Sequence, residues 1–219
     1  MLRLAVLASG RGSNLQALLE ARDRDGTGFE VAGVFSDRAE AGALAIARAA
    51  GIPALALAPR NYPDRTAFDA ALFAQVLQVQ PDLIVCAGYM RIISAAALAQ
   101  ISPPMINIHP SLLPRYPGLH THARALEAGD AEHGSSVHVV TADLDAGPLL
   151  AQARIPVLSG DTPDTLAERV LMQEHRLLPA CVRSIASGRL SLEGALPRFD
   201  GTPLSAPLHL HDTTGELMR

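Results

Sequence analysis

The chain has 219 residues, of which 48% are hydrophobic, and its formal net charge at pH 7 is −4. This length allows a sizeable core and favours one domain, while the mild charge, without clustered Lys or Arg, argues against a surface for extended nucleic acid. Cys86 and Cys181 form no C-x-x-C pair and lie among apolar neighbours, which predicts buried free thiols in a cytoplasmic protein. No apolar run approaches the roughly 20 residues that cross a bilayer.

The first half of the chain alternates apolar runs with helical patterns. Buried strands are predicted at LRLAVLAS, FEVAGVFSD, IPALALA, DLIVCAG and PMINIHP, in chain order. Helices are predicted between them at SNLQALLEARD, EAGALAIARAAG, DRTAFDAALFAQVLQVQ and SAAALAQI. Four consecutive β-α repeats predict an α/β fold, with a Rossmann-like, mostly parallel sheet and helices on both faces. In such sheets, ligands bind beyond the carboxyl ends of the strands.

The pattern changes after His120. A short helix at HARALEAGD precedes two strands in HGSSVHVVTADLDAGPLLAQARIPV, which we expect to form an antiparallel hairpin at the edge of the sheet. The longest helical pattern begins near Thr162 and contains Pro179, where a kink or break is expected. We predict a single domain over residues 1–198, followed by a polar, loosely held tail over 199–219.

Glycines follow the first strand in the sequence ASGRGSNL. At a strand-to-helix turn they let the backbone approach an anion, and the free N–H groups of the helix start point toward it. Leu15 stands where a dinucleotide fingerprint has its third glycine, and no Lys follows as it does in a P-loop. A phosphate site on Gly12, Ser13 and Asn14 is favoured over a plain turn.

Polar side chains cluster where the fifth strand ends, in MINIHPSLLPRYPGLHTH. His120 and His122 are spaced i, i+2, which does not put them on one helix face, and no carboxylate lies among them, so a metal site is disfavoured. Asn107 and His109 share one side of the strand, which suits an oxyanion donor beside a general acid or base. The orienting carboxylate would come from the later turn, which contains Asp143 and Asp145.

Two further segments are ambiguous from composition alone. AGYMRII, at the end of the fourth strand, could receive a flat ligand, although a core-packing loop is the simpler interpretation. Asp37, after the second strand, could hold a ribose hydroxyl in a dinucleotide enzyme but is better interpreted as a turn residue.

Five motifs in order resemble one known family. ASGRGSNLQAL, AGYMRII, NIHPSLLPRYPGLHTHARAL, HGSSVHVVTADLDAGPLLAQ and RVLMQEH are together similar to the folate-dependent phosphoribosylglycinamide formyltransferases of the formyltransferase family. The resemblance extends from the first strand to about Arg198. It implies transfer of a formyl group from 10-formyltetrahydrofolate to the amine of 5′-phosphoribosylglycinamide in purine synthesis, with no metal, nucleic acid or membrane partner.

The resemblance also implies roles for particular residues. Asn107, His109 and Asp145 match the catalytic trio, and Glu174 matches a residue that contacts the ribonucleotide. Gly12, Ser13 and Asn14 match the phosphate loop of that family. The positions that match its folate site are Arg65, Met90, Arg91, Ile92, Ile93 and Asn107.

Three other classes remain as alternatives. Methionyl-tRNA formyltransferases carry a further C-terminal domain, and formyltetrahydrofolate hydrolases carry an N-terminal regulatory domain, so the extent of this chain disfavours both. A nucleotide-binding regulator without chemistry would have no need of Asn107, His109 and Asp145.

Overall fold

In a computed structural model of the protein, the chain forms two compact units, Met1–Asn107 and Ile108–Arg219. The structure describes residues 1–25, 28–194, 196–211 and 213–219. Whether residues 1–198 act as one domain stays a prediction.

The first unit contains a parallel sheet with strand order β3-β2-β1-β4-β5. Its strands are β1 (Leu2–Leu7), β2 (Phe29–Ser36), β3 (Ala54–Ala56), β4 (Leu83–Cys86) and β5 (Met105–His109), of which β5 continues into the second unit. The side chains of Leu4 to Leu7 are fully buried, as a strand covered on both faces requires. All five predicted strands are confirmed.

Helices alternate with these strands. They are α1 (Ser13–Asp25), α2 (Gly42–Ala49), α3 (Arg65–Gln78) and α4 (Ala95–Leu98). Asp64 caps α3 by accepting a hydrogen bond of 2.8 Å from the N–H of Ala67, which satisfies one of the unpaired donors of the first turn. The predicted β-α alternation therefore holds throughout this unit.

The second unit combines an antiparallel hairpin with a long helix. Its elements up to residue 186 are α5 (Thr121–Glu127), β6 (Glu132–Val139), β7 (Leu149–Pro156) and α6 (Pro163–Ala186). β6 and β7 pair antiparallel, and α6 contacts both. Thr162 begins α6 with a capping box, in which its hydroxyl accepts from the N–H of Thr165 and its own N–H donates to the Thr165 hydroxyl.

Of the kink or break expected at Pro179, the break is absent, since α6 runs through this residue without interruption. An interior proline loses one backbone hydrogen bond and costs about 3 kcal/mol. Here Pro179 is buried, with Leu177, Leu178, Ala180 and Cys181 around it in the core. The packing of this apolar face outweighs the local preference of proline.

The hairpin is not at the sheet edge, which corrects one expectation. β11 (Leu208–Leu210) pairs parallel with β7, and β12 (Leu217–Met218) pairs antiparallel with β11. The tail that we expected to be loosely held therefore adds two strands. Leu208, Leu210 and Leu217 are buried, so a few alternating leucines anchor an otherwise polar segment.

A small second sheet precedes these strands. It consists of β8 (Leu190–Ser191), β9 (Arg198–Phe199) and β10 (Thr202–Pro203), all antiparallel. The fold class is thus as predicted: a mostly parallel, Rossmann-like sheet with helices, C-terminal antiparallel strands and a long C-terminal helix. Among the described residues, no helix has both the length and the apolar character needed to span a membrane.

Candidate active site

The end of β5 carries the central pair of predicted catalytic residues. Ile106 and Ile108 are buried on one side of the strand, and Asn107 and His109 project from the other, because side chains alternate along a strand. Asn107 is half-buried, whereas His109 is only 5% exposed. The strand therefore presents an amide and an imidazole side by side.

Both ring nitrogens of His109 face an acceptor. Nε2 lies 2.9 Å from the carbonyl oxygen of Tyr116, and Nδ1 lies 3.4 Å from Oδ2 of Asp145. A carbonyl oxygen can only accept, so Nε2 carries a proton. The predicted His109–Asp145 pair is therefore brought together, and the contact with Tyr116 adds to it.

Burial is the largest influence on His109 and lowers its pKa. The hydrogen bond to Tyr116 and the charge of Asp145 act in the opposite direction, while His138 and Arg124 lower the pKa further. The net shift is downward, so the resting ring is neutral at physiological pH. A neutral imidazole can accept a proton, which general base catalysis requires.

Asp145 is held by several donors. The N–H of Gly118 donates to Oδ2 at 2.8 Å, and Nε2 of His138 lies 3.5 Å from Oδ1. Burial opposes ionisation, but these hydrogen bonds and the neighbouring histidines outweigh it, and the pKa of Asp145 is lowered. Asp145 is thus a carboxylate at neutral pH.

The backbone places Asp145 in an uncommon conformation. Its φ is +51°, in the left-handed region that aspartate tolerates better than most residues. In the same turn, a Cβ added to Gly147 would lie 1.9 Å from the carbonyl oxygen of Val139. The turn between β6 and β7 is therefore tightly constrained, and it directs the carboxylate of Asp145, not that of Asp143, toward His109.

Three further histidines, His120, His122 and His138, occupy different places. His138 contacts Asp145, as described above. His120 is exposed and precedes α5 with a φ of +59°. Nδ1 of His122 lies 3.2 Å from Nε2 of His133, and the pair packs edge to face.

The His122–His133 pair predicts an acid-sensitive fold. Burial, followed by the charge of His122, lowers the pKa of His133 to about 4, and burial also lowers that of His122. A base with a depressed pKa binds its proton more readily when unfolded, so its contribution to stability is complete above pH ~6.5 and is lost toward pH 4. In urea titrations, the free energy of unfolding should decrease as the pH is lowered from about 6.5 to 4. The decrease should be up to about 1.4 kcal/mol per pH unit for each such group.

Substitution can assign this pH dependence. His133→Asn should flatten the slope below pH 6.5, whereas His209→Asn, at an exposed position of β11, should leave it unchanged. Equal slopes in wild type and His133→Asn would contradict the assignment.

The predicted phosphate loop joins β1 to α1. Gly12 has a φ of +86°, and α1 begins at Ser13. The carbonyl of Gly10 accepts a hydrogen bond of 3.2 Å from the N–H of Ala43, which ties the loop to α2. Asn14 is 7% exposed within the first turn. The three predicted residues thus stand together at a helix start.

Gly12 is required by both its conformation and its surroundings. An added Cβ would lie 2.6 Å from the Cα of Ala43. Gly12→Ala should destabilise the protein by about 1–2 kcal/mol through the left-handed backbone and by a further ~1–3 kcal/mol through the clash. It should also raise the KM for a phosphorylated substrate. Denaturant titration and initial rates measure the two effects.

Gly51 provides the matched control. Its φ is +70°, yet an added Cβ would meet nothing within 4 Å. Gly51→Ala should therefore show only the conformational cost and an unchanged KM. Equal losses in the two variants would contradict the close approach at Gly12.

The predicted folate segment follows β4 and is fixed at both ends. The N–H of Met90 donates to the hydroxyl of Ser9 at 2.9 Å, and the N–H of Ser94 donates to Oδ2 of the buried Asp69 at 2.7 Å. The side chain of Met90 is 59% exposed, and that of Ile92, between the two anchors, is 52% exposed. Two large apolar side chains are thus held at the surface, and their contact with folate stays a prediction.

The remaining residues predicted to contact substrate are more dispersed. The Arg91 guanidinium lies 5.1 Å from the centre of the Phe68 ring, and Arg65 is exposed one turn earlier on α3. Ile93 is buried, and Glu174 is a buried residue of α6. Within the first unit, the structure therefore brings Arg91 close to the helix that carries Arg65.

Sequence patterns did not identify five contacts. They involve Ser9, Asp69, Tyr116, Gly118 and His138. Tyr116 and Gly118 act through backbone atoms, for which a sequence gives no side-chain signal, and Ser9 and Asp69 depend on long-range packing. Asp37 is a buried residue, and in the part of the chain that the structure describes, its Oδ1 has no hydrogen-bond partner. Across those same residues, no group of three or more His, Cys, Asp or Glu side chains could hold a metal ion.

Comparison with known proteins identifies the family. The family model described as formyl transferase matches residues 2–182. The chain is 44% identical over 203 residues to phosphoribosylglycinamide formyltransferase of Escherichia coli, which covers 93% of this chain and 96% of that relative.

Two solved structures are also similar. The structure of phosphoribosylglycinamide formyltransferase from Coxiella burnetii in complex with CHES gives a TM-score of 0.88 at 46% identity, covering 93% of this chain and 96% of that one. Glycinamide ribonucleotide transformylase 1 from Symbiobacterium toebii gives 0.86 at 47% identity, covering 91% and 94%. The chain belongs to the formyl transferase family and is a formyltransferase.

Proposed function

We propose that the chain transfers a formyl group from 10-formyltetrahydrofolate to the amine of 5′-phosphoribosylglycinamide, giving the N-formyl product and tetrahydrofolate. The observation that carries this proposal is the buried His109–Asp145 pair, at 3.4 Å, in a chain of this family, with His109 two residues after Asn107 on β5. The relatives named above support the choice of substrates.

The reaction needs charge stabilisation and one proton transfer. The amine of the glycinamide attacks the formyl carbon, a C–N bond forms, and negative charge develops on the formyl oxygen. Asn107 donates a hydrogen bond to this oxygen. The bond from the formyl carbon to N10 then breaks, and the proton lost by the amine reaches N10. His109 is suited to carry that proton because its ring is neutral at rest.

The binding residues follow the charges of the two substrates. The start of α1, with Gly12, Ser13 and Asn14, offers backbone N–H groups to the phosphate. Glu174 would contact the ribonucleotide. Arg65 and Arg91 would attract the folate carboxylates, and the exposed Met90 and Ile92, with Ile93, would pack against the flat ring.

The cellular setting is proposed on independent grounds. Cys86 and Cys181 are buried free thiols, which suits the reducing cytoplasm. Both substrates are small molecules, and neither a metal nor a nucleic acid is needed for the chemistry described.

One assay tests the function. The purified chain is mixed with 10-formyltetrahydrofolate, with and without 5′-phosphoribosylglycinamide, and tetrahydrofolate and the formylated product are quantified. We expect both products in equal amounts, and only when the ribonucleotide is present. Folate product without the ribonucleotide would show a hydrolase, and no product in either case would show a binding protein.

A further inference from the structure

We propose that Arg176 positions Glu174 for the ribonucleotide by tying the outer side of α6 to the C-terminal strands, so that the tail of the chain takes part in substrate binding. This inference rests on the proposed function, in which Glu174 contacts 5′-phosphoribosylglycinamide. The strands concerned are β11 and β12, here called the tail hairpin, and they lie beyond residues 2–182, which the family model matches. Arg176 is a positioning residue, since it acts through Glu174.

Glu174 interrupts the apolar stripe of α6. The stripe repeats every three or four residues through Leu166, Val170, Leu177 and Cys181, which are all fully buried. Glu174 falls in the same stripe and is 7% exposed. A carboxylate does not gain free energy on leaving water as an apolar side chain does, so packing holds this turn less firmly than the turns on either side.

Arg176 holds the opposite side of that turn. It follows Glu174 by two residues, or about 200° around a helix of 3.6 residues per turn, so the two side chains leave the helix in nearly opposite directions. Its Nη1 donates to Oε1 of Gln173, and its Nη2 donates to the carbonyl of His211, both at 3.2 Å. The guanidinium therefore connects the residue before Glu174 to the turn of the tail hairpin.

The tail hairpin is a firm anchor. β11 pairs parallel with β7, and Leu208 and Leu217 are buried. In the connection between β11 and β12, the N–H of Gly215 donates to the carbonyl of His211, and the N–H of His211 donates to the carbonyl of Glu216, both at 2.9 Å. The carbonyl that accepts from α6 is thus fixed by the sheet and by the connection.

Arg183 makes a second link from α6 to the same connection. It lies two helical turns beyond Arg176 on the same side, and its Nη2 donates to the carbonyl of Gly215 at 3.2 Å. Arg183 therefore matches Arg176 in donor, distance and type of acceptor. It lies roughly 13 Å along the helix from Glu174, because each helical residue rises 1.5 Å.

Two opposed constraints fix the rotation of the turn that carries Glu174. The apolar stripe holds the inner side of α6 against β6 and β7, and the bridge made by Arg176 holds the outer side. Neighbouring residues of a helix rotate together, so loss of the bridge displaces the Glu174 carboxylate. A displacement of about 1 Å in a substrate-positioning group can cost on the order of 10²-fold in rate, so even a small rotation is measurable.

The first test measures ribonucleotide binding directly. Arg176→Met keeps an unbranched apolar stem and removes the donors, and isothermal titration calorimetry with 5′-phosphoribosylglycinamide gives the Kd. We expect the Kd to rise about three- to tenfold, the usual loss for one hydrogen bond. The kcat at saturating substrates should stay within about twofold, because a contact remote from the formyl group binds the ground state and the transition state equally.

Arg183→Met is the matched control. It removes the equivalent link to the tail hairpin, so both variants should lower the melting temperature by a similar amount. Its Kd for the ribonucleotide should match that of wild type, since Glu174 lies more than two turns away. Equal rises in Kd in the two variants would show a general loosening of the tail and would overturn the positioning role of Arg176, as would a wild-type Kd in Arg176→Met.

The second test shows whether Arg176 acts through Glu174. Glu174→Ala should weaken ribonucleotide binding, and adding Arg176→Met should weaken it no further, because the positioned group is gone. Additive losses would contradict the proposal. If wild type bound no 5′-phosphoribosylglycinamide, the substrate assignment and the proposal would both be wrong, whereas normal formyl transfer with an unchanged Kd in Arg176→Met would refute the positioning role alone.

Discussion

Asn107→Ala should lower kcat by about 10²–10³-fold, which is the usual cost of losing one oxyanion donor. The side chain is half-buried on β5, and its amide is the group proposed to bind the developing charge on the formyl oxygen. Because that charge exists only in the transition state, the effect should fall on kcat and leave KM nearly unchanged. Steady-state kinetics with each substrate varied in turn measure both quantities.

Two controls accompany this measurement. Circular dichroism should match wild type, since Ile106 and Ile108, buried on the opposite side of β5, are unchanged. Asn61→Ala, at an exposed residue after β3, should have wild-type kinetics. An activity of Asn107→Ala within about threefold of wild type would exclude the oxyanion role.

The fold was largely predictable because short stretches of sequence indicate its strands and helices. The run from Leu4 to Leu7 contains no polar residue, and such a continuous apolar run predicts a strand that is buried on both faces. Asp64 and Thr162 are N-cap residues, whose side chains accept hydrogen bonds from the first turns of the helices that follow them. Such signals need no knowledge of the rest of the chain.

The errors arose where distant packing overrides local preference. The polar tail gave no strand pattern, yet Leu208 pairs next to Ala151 on β7 and is fully buried. Pro179 is a helix breaker by propensity, but the buried face of α6 keeps the helix continuous. Both outcomes depend on tertiary contacts that a single sequence does not display.

The site was predictable only in its side chains. The spacing of Asn107 and His109 places them on one side of a strand, and the Asp-bearing turn after β6 supplies the carboxylate. The sequence could not choose between Asp143 and Asp145 by spacing alone, because the choice depends on the left-handed backbone at Asp145. The contact of the Tyr116 carbonyl with His109 could not be predicted, since every residue has a backbone carbonyl.

Asp145→Asn should lower kcat/KM by roughly 10²–10³-fold, because a carboxylate at this range stabilises the imidazolium by on the order of 4 kcal/mol at an intermediate effective dielectric constant. Asparagine tolerates the left-handed backbone at φ +51°, and its amide oxygen can still accept from the N–H of Gly118. The variant thus removes charge while keeping shape. The profile of kcat/KM against pH should have a lower maximum, and its rising limb should also be displaced along the pH axis.

The direction of the pH change follows from the charges around His109. The Asp145 carboxylate raises the pKa of His109 against the effect of burial, so its loss should lower that pKa further. If neutral His109 is the base, the rising limb of kcat/KM against pH should move to lower pH in Asp145→Asn. Asp143→Asn, at an exposed position of the same turn, should keep the wild-type profile. An Asp145→Asn profile that superimposes on that of wild type would contradict the coupling of Asp145 to His109, since loss of the carboxylate charge should change the pKa of His109.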